Sequence, residues 1–221
     1  AVKEGAGNGT ASALSFGTGG ESGTYYAFGG VLASFVSGKS DCKVTALTSG
    51  GSQANVEDLT NGNVQLAFVQ SDVMNYAYNG QRLFDSPVTG FSVVAQLYQE
   101  QVQIVTTNPD IKTVADLAGK KVSIGAAGSG VYFNAIDVLS AYDLKESDIS
   151  AVYQSFGDSA ESLKDGKIDA AFIVAGAPTT AITDLATAGS VYLVSLDDSH
   201  VQSLLSASPY YTAATIKAGT Y

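Results

Sequence analysis

The sequence predicts an α/β protein of two lobes, with mostly parallel sheets flanked by helices and crossing strands as the hinge between them. Strand-like apolar runs alternate with helix-period stretches, and one glycine-rich design occurs twice. Ser15-Phe-Gly-Thr-Gly-Gly-Glu-Ser-Gly-Thr-Tyr25 reads against Ser123-Ile-Gly-Ala-Ala-Gly-Ser-Gly-Val-Tyr132, with one residue fewer in the second copy. Val31-Leu-Ala-Ser-Phe35 and Val138-Leu-Ser-Ala-Tyr142 follow at matching places. A second pair sets Leu59-Thr-Asn-Gly-Asn-Val-Gln-Leu-Ala-Phe-Val69 against Leu163-Lys-Asp-Gly-Lys-Ile-Asp-Ala-Ala-Phe-Ile173. The offsets are nearly equal, 107 from Tyr25 to Tyr132 and 104 from Leu59 to Leu163, so two lobes of one design enclosing a cleft are expected.

Strands are expected near 13–17, 43–48, 64–69, 91–97, 101–107, 121–125, 150–154, 168–174 and 191–195. Helices are expected over roughly 22–37, 52–61, 71–79, 114–118, 129–141, 158–165, 177–187 and 198–206. The glycine loop after the first strand opens the first helix, and Ser52, ahead of Ala54 and Val56, reads as the cap of the second. The strands at 91–97 and 101–107 have no counterpart inside either repeat, which makes them the natural crossing between lobes. Asn108-Pro109-Asp110 then turns the chain. Ser159-Ala-Glu-Ser reads as a cap ahead of Leu163, and Asp197 and Asp198 as carboxylates at a helix start. The tail at 208–216 is strand-like again. The expected division is a tether at 1–12, lobe I at 13–97 with 206–221 returning to it, and lobe II at 98–205.

Composition narrows the function classes. The chain has 221 residues, 45% of them apolar and 14% charged, enough for a substantial core. A formal charge of −10 with Arg82 as the sole arginine argues against a nucleic-acid partner and against docking on anionic lipid. No apolar run reaches the roughly 18–20 residues of a spanning helix. Cys42 is alone, so it forms no intramolecular disulfide and reads as a buried small hydrophobe.

The loop Gly17-Thr-Gly-Gly-Glu-Ser-Gly23 is similar to a dinucleotide fingerprint, but no acidic residue ends the next strand at Ala46-Leu-Thr-Ser-Gly50. Gly38-Lys-Ser40 ends like a P-loop, yet Ala33 stands where the first glycine belongs. No cofactor is therefore expected. The glycine loops instead offer backbone N–H groups at helix N-termini, which hold anions without a cationic side chain. Thr18, Ser22, Thr24 and Ser129 would add hydroxyls, while Ser52, Asn55 and Gln70 face the same mouth at strand ends. Of the aromatic pairs, Tyr25 and Tyr132 are expected to face the cleft. Glu21 and Asp72 are candidates for pairing an amine and equally for solvated carboxylates at helix starts. His200 is the only histidine and no Gly-x-Ser-x-Gly elbow occurs, so neither a catalytic triad nor a zinc site is expected.

Taken in order, five motifs resemble the solute receptors of TAXI-type TRAP transporters, a branch of the type II periplasmic binding proteins. They are Gly17-Thr-Gly-Gly-Glu-Ser-Gly-Thr-Tyr-Tyr26, Ser49-Gly-Gly-Ser-Gln-Ala-Asn55, Leu66-Ala-Phe-Val-Gln-Ser-Asp72, Gly125-Ala-Ala-Gly-Ser-Gly130 and Leu163-Lys-Asp-Gly-Lys-Ile-Asp-Ala-Ala-Phe172 with Gly176-Ala-Pro178. The resemblance implies the type II architecture, without enzymatic activity. It implies a monomer outside the cytoplasm, periplasmic or facing the exterior, with a lipid anchor upstream of Ala1 as one form. Such a receptor delivers a small carboxylate, glutamate-like or 2-oxoglutarate-like, to the membrane subunits of a TRAP transporter. A ligand-sensing module of a signalling system is the alternative, and an enzyme acting on a small acid a more distant one. The family's ligand loops fall on Thr18, Tyr25, Ser52, Asn55, Gln70, Ser71, Ser129, Gly130 and Gly176, and the reading of the glycine loops and paired aromatics adds Gly19, Ser22 and Tyr132 to the expected site. The resemblance also implies a further C-terminal return to lobe I beyond the position of Tyr221.

Overall fold

The computed structural model describes residues 12–221, so the tether expected over 1–12 lies, apart from Ser12, outside the described residues. In lobe I, β1 (Ala13–Gly17) sits between β2 (Lys43–Leu47) and β3 (Leu66–Ala67), all parallel. The connections are α1 (Thr24–Lys39) and α2 (Ser52–Thr60), with α3 (Ser71–Asn79) following β3. Phe16, Ala33, Val44 and Phe68 fill one layer of this lobe. Val56, Val73, Tyr76 and Phe84 form another, with Phe133 of the other lobe inserted among them.

The larger sheet holds β4 (Gln101–Thr106), β5 (Lys121–Ser123), β6 (Ser150–Val152), β7 (Ala170–Ala175) and β8 (Tyr192–Leu193) in the order β6-β5-β7-β4-β8. Strand β5 is parallel to β6 and β7, whereas β4 runs antiparallel to β7 and β8. Every residue of β7 is buried, as expected of a central strand covered on both faces. Its side chains alternate. Ala170, Phe172 and Val174 join the layer of α4 (Val131–Ala141) and α7 (Asp198–Ala207). Ala171, Ile173 and Ala175 join that of α5 (Phe156–Lys164) and α6 (Thr180–Ala188).

Most expected elements are present, and the departures have local causes. The strand expected at 91–97 is irregular, because β3 offers only two residues of ladder and no other strand lies beside it. Side chains fix this stretch instead: Phe91 packs on the Val56 layer and Tyr98 meets Phe28 edge-on at 5.9 Å. The tail at 208–216 is likewise no strand. Its anchors are Tyr211, whose hydroxyl donates to Asp137 Oδ2 at 2.8 Å, and Tyr210, packed against Tyr76. Tyr221 closes it on lobe II, where its hydroxyl accepts from Thr179 N at 3.0 Å and donates to Gln103. The helix expected at 114–118 is a 3₁₀ turn, Val114–Leu117, closed by a Thr113–Asp116 capping box. Helix α5 starts earlier than Ser159 because Ser155 is the true cap, its Oγ accepting from Asp158 N at 3.1 Å. Ser52 does not cap α2, whose N-cap is Gly51; its Oγ accepts from Gln70 N at 3.0 Å.

Gly29 lets α1 settle on the small sheet. A Cβ there would stand 2.5 Å from Thr18 Cγ2 and 3.1 Å from Phe68 Cε2. Gly29→Ala should therefore destabilise by about 1–3 kcal/mol, despite the roughly 1 kcal/mol that alanine gains in a helix interior. Thermal melting checks this. An unchanged or raised midpoint would show that the helix can shift away.

Candidate functional site

All the candidate loops leave the carboxyl ends of parallel strands, where open α/β sheets leave room for ligands. They converge on a cavity of about 70 Å³ between the lobes. Lobe I contributes Gly19, Tyr25, Ser52 and Gln70; lobe II contributes Ala126, Ser129, Gly130 and Ser155; Glu100 enters from the crossing segment. The cavity is far below the roughly 300–1,000 Å³ of ordinary small-molecule pockets, and the lobes touch directly beside it.

Glycine makes the closure possible. Ala54 N donates to Gly128 O at 2.9 Å, joining the lobes backbone to backbone. A Cβ on Gly50 would lie 2.6 Å from Ala127 O, and one on Gly130 would overlap Gln70 Oε1. Gln70 Nε2 donates to Asn134 Oδ1 at 2.7 Å, and Gly176 N to Thr24 Oγ1 at 3.1 Å. The N-caps of α1, α2 and α4 are Gly23, Gly51 and Gly130, none with a side-chain cap. Three helix N-termini thus reach the cleft with backbone donors for an anion. Ser129, almost fully buried beside them, has an Oγ without a partner among the described residues.

Of the residues expected in the site, Gly19, Tyr25, Ser52, Gln70, Ser129 and Gly130 line the cavity. Thr18 and Asn55 are fully buried and hold the loops instead. The Thr18 hydroxyl donates to Leu47 O at 2.6 Å, and Asn55 Nδ2 to Thr18 O and Phe68 O at 2.7 and 2.8 Å. Ser22 stands outside the lining near Gly157, Ser71 is exposed on α3, and Gly176 follows the lining residue Ala175. Tyr132 is a correction: it turns away from the cleft and donates to Glu146 Oε2 at 3.0 Å. The buried residues of α4 are Val131, Phe133, Asn134, Ala135, Val138 and Leu139, and Tyr132 lies about 100° round the helix from the cavity-lining Val131. Tyr25, by contrast, shares a face with the buried Gly29 and Ala33 and stacks on Phe68 at 5.0 Å.

The amine candidates also resolve. Glu21 is exposed and outside the lining. Asp72 is buried, its oxygens accepting from Val73 N at 2.8 Å and Asn134 Nδ2 at 2.9 Å, and burial lifts its pKa above the ordinary carboxylate value. Sequence reasoning missed Glu100. Its Oε2 accepts from the Tyr25 hydroxyl at 3.0 Å, and that hydroxyl lies 3.5 Å from Ser52 Oγ. Burial pushes Glu100 up to about 8, with the charge of Asp72 adding to the rise and the Tyr25 hydrogen bond opposing it. The available signal was its isolation as the sole charged residue between Asp85 and Asp110.

His200 lies outside the cavity lining. Its Nδ1 pairs with Asp197 Oδ2 at 2.6 Å and its ring stacks on Tyr142, while the Ser199 hydroxyl donates to Asp197 Oδ1 at 2.6 Å. Among the described residues, no group of three or more His, Cys, Asp or Glu side chains could hold a metal ion. None of the described helices is long and apolar enough to cross a membrane.

Two sheets meeting at a cleft lined by strand ends define the two-lobed periplasmic-binding-protein architecture. Solved structures share it. The alkanesulfonate-binding protein SsuA from Xanthomonas axonopodis pv. citri, bound to MOPS, is similar at 21% identity and a TM-score of 0.54, covering 83% of this chain and 60% of its own. The GluR0 ligand-binding core from Nostoc punctiforme, in complex with L-glutamate, is similar at 16% identity and a TM-score of 0.57, covering 83% and 79%. AbpA from Streptococcus pneumoniae, an amino acid ABC transporter substrate-binding protein bound to L-arginine, is similar at 16% identity and a TM-score of 0.56, covering 83% and 75%. The chain spans 57% and 60% of the length of the two sulfonate-binding proteins it matches. The chain belongs to the NMT1-like family, whose model matches residues 16–221.

The raised pKa of Glu100 has a measurable consequence. Between the ordinary value of 4.5 and about 8, the folded protein keeps a proton that the unfolded chain has released. This contribution to stability is full below about 4.5 and is lost as pH rises through about 8. Glu100→Gln retains an acceptor for Tyr25 and removes the titration. The variant's melting temperature relative to wild type should therefore climb by several degrees between about pH 5 and pH 8.5. A difference that stays flat with pH would place the carboxylate in water.

Proposed function

We propose that this protein is a solute-binding receptor of the TAXI type, which captures a small carboxylate between its lobes and hands it to a TRAP-type membrane transporter. The carboxylate is a glutamate-like amino acid or a 2-oxoglutarate-like dicarboxylate. The receptor works outside the cytoplasm as a monomer, free or lipid-anchored, and without turnover. One observation carries the reading: glycine-capped helix N-termini from both lobes meet across a cavity lined by Ser129, whose buried hydroxyl has no partner among the described residues. Backbone N–H groups and helix dipoles bind a carboxylate there without any lysine or arginine. Membership of the NMT1-like family and the motif order support the assignment, as do fold neighbours described as binding sulfonates and amino acids. Because the solute exceeds about 70 Å³, the lobes must part to admit it. The irregular 91–100 stretch is the natural hinge.

A thermal-shift panel of amino acids, 2-oxo acids and dicarboxylates tests this. Saturation at about 100 times Kd adds about 2.7 kcal/mol to stability. Ser129→Ala should leave the free protein as stable or slightly more so, because it removes an unsatisfied buried hydroxyl. It should also shrink the shift given by the active acid. A panel without any shift would overturn the receptor reading. An undiminished shift in Ser129→Ala would remove that hydroxyl from the contact.

A further inference from the structure

We infer that Glu100 is the specificity-determining residue of the cleft and that it reads a positively charged amine, which makes the ligand an α-amino acid rather than its 2-oxo counterpart or a dicarboxylate. This rests on the carboxylate-receptor reading and narrows it. Among the described residues, Glu100 is the only charged one lining the cavity. It heads a chain of close polar approaches across it: Tyr25 hydroxyl at 3.0 Å, then Ser52 Oγ at 3.5 Å, then Gln70 Oε1 at 3.5 Å. Gln70 Oε1 in turn sits against Gly130, the N-cap of α4. An anion-binding helix end and a carboxylate therefore occupy one cavity, the complement of a zwitterion.

Charge decides between the candidates. A dicarboxylate would bring two negative charges into a site that contains Glu100 and adjoins the buried Asp72, with no basic side chain in the lining. An amino acid's α-ammonium offsets one carboxylate, so it brings one less net negative charge than its 2-oxo counterpart. Neither other acid can do this work, because Glu21 is outside the lining and Asp72 is committed to Val73 N and Asn134 Nδ2. The groups acting on Glu100 are the hydroxyls of Tyr25 and Tyr98 and the field of Asp72; both tyrosines have raised pKa values and stay neutral. Burial keeps Glu100 largely protonated at pH 7, and an arriving ammonium favours its carboxylate form. The O–H proton then leaves to solvent, so amino-acid binding is accompanied by proton release.

The test is calorimetric titration at about pH 7 in phosphate and in Tris, which differ in ionisation enthalpy. The probes are matched pairs differing at Cα: L-glutamate with 2-oxoglutarate, and L-leucine with 4-methyl-2-oxopentanoate. The amino acid of at least one pair should bind at least about tenfold tighter than its partner, with proton release. Glu100→Gln should erase both the preference and the release. A 2-oxo acid that binds as tightly as its amino acid, or a preference that survives in Glu100→Gln, would overturn the amine reading and leave the receptor standing. No binding by any probe, together with an empty thermal-shift panel, would remove the receptor reading and this inference with it. If Glu100→Gln fails to fold, the wild-type preference and proton release decide the matter alone.

Discussion

Where the lobes meet, backbone touches backbone, and the rest of the cleft depends on that approach. The hydrogen bond from Ala54 N to Gly128 O forms only because nothing projects from Gly50, Gly128 or Gly130 into the gap. Gly51, Gly125 and Gly128 also hold φ values of 115°, 90° and 78°, a region that costs glycine little and other residues more. The same glycines leave the helix N-termini uncapped by side chains. A serine or aspartate cap would stabilise each helix locally, typically by about 1 kcal/mol, and would fill the donor sites that an anion can use. Local helix stability and a free anion site compete for the same N–H groups, and here the sequence forgoes the caps. Helices α5 and α7 carry side-chain caps, Ser155 and Asp197, and Ser155 alone of these reaches the cavity.

Asp72, buried, and Glu100, partly buried, illustrate how differently the fold partners two acids. Asp72 is one end of a network in which Asn134 donates to it and to Tyr211, Tyr211 donates to Asp137, and Asp137 pairs with Arg82 at 2.6 Å. That network joins α3, α4 and the tail, and its members are committed to one another. Glu100 accepts one hydrogen bond, from a tyrosine that also approaches Ser52. A carboxylate with so little compensation retains its proton, while one supplied with partners becomes a joint. Of the two acids, the one with fewer partners is the one that lines the cavity.

The fold was legible where pattern and punctuation agreed. The duplicated glycine loops and the apolar run Ala170-Ala-Phe-Ile-Val-Ala175 reported strand ends and a central strand directly, because burial on both faces leaves no room for polar residues. The stretch Phe91-Ser-Val-Val-Ala-Gln-Leu97 has strand composition without a strand, since pairing depends on a neighbour that local sequence does not describe. The site was half legible for a related reason. Thr18 and Asn55 have the right chemistry and lie at the right strand ends, yet the Thr18 hydroxyl is consumed by Leu47 O and Asn55 Nδ2 by Thr18 O and Phe68 O, and both side chains are fully buried outside the cavity lining. Glu100 has no motif around it, and only the three-dimensional path of the crossing segment delivers it to the cavity.

The duplication explains both the success and the main error of the sequence reading. Copies of a loop keep their glycines because strand-to-helix turns and close backbone approach demand them in each lobe. Side chains just inside the following helices are free to diverge, because what they meet depends on the face each helix buries. Tyr25, Gly29 and Ala33 fall on one face of α1, and the tyrosine is carried over Phe68 to Glu100 and Ser52. In α4 the corresponding face begins at Val131, which lines the cavity, so Tyr132 is carried round to Glu146 and lies tilted against Tyr153. The lobes are thus alike in backbone and unlike in side-chain chemistry. On the proposed function that combination suits an asymmetric ligand: symmetric lobes would offer two identical anion sites, whereas one anion site and one acid would distinguish the ends of a single small molecule.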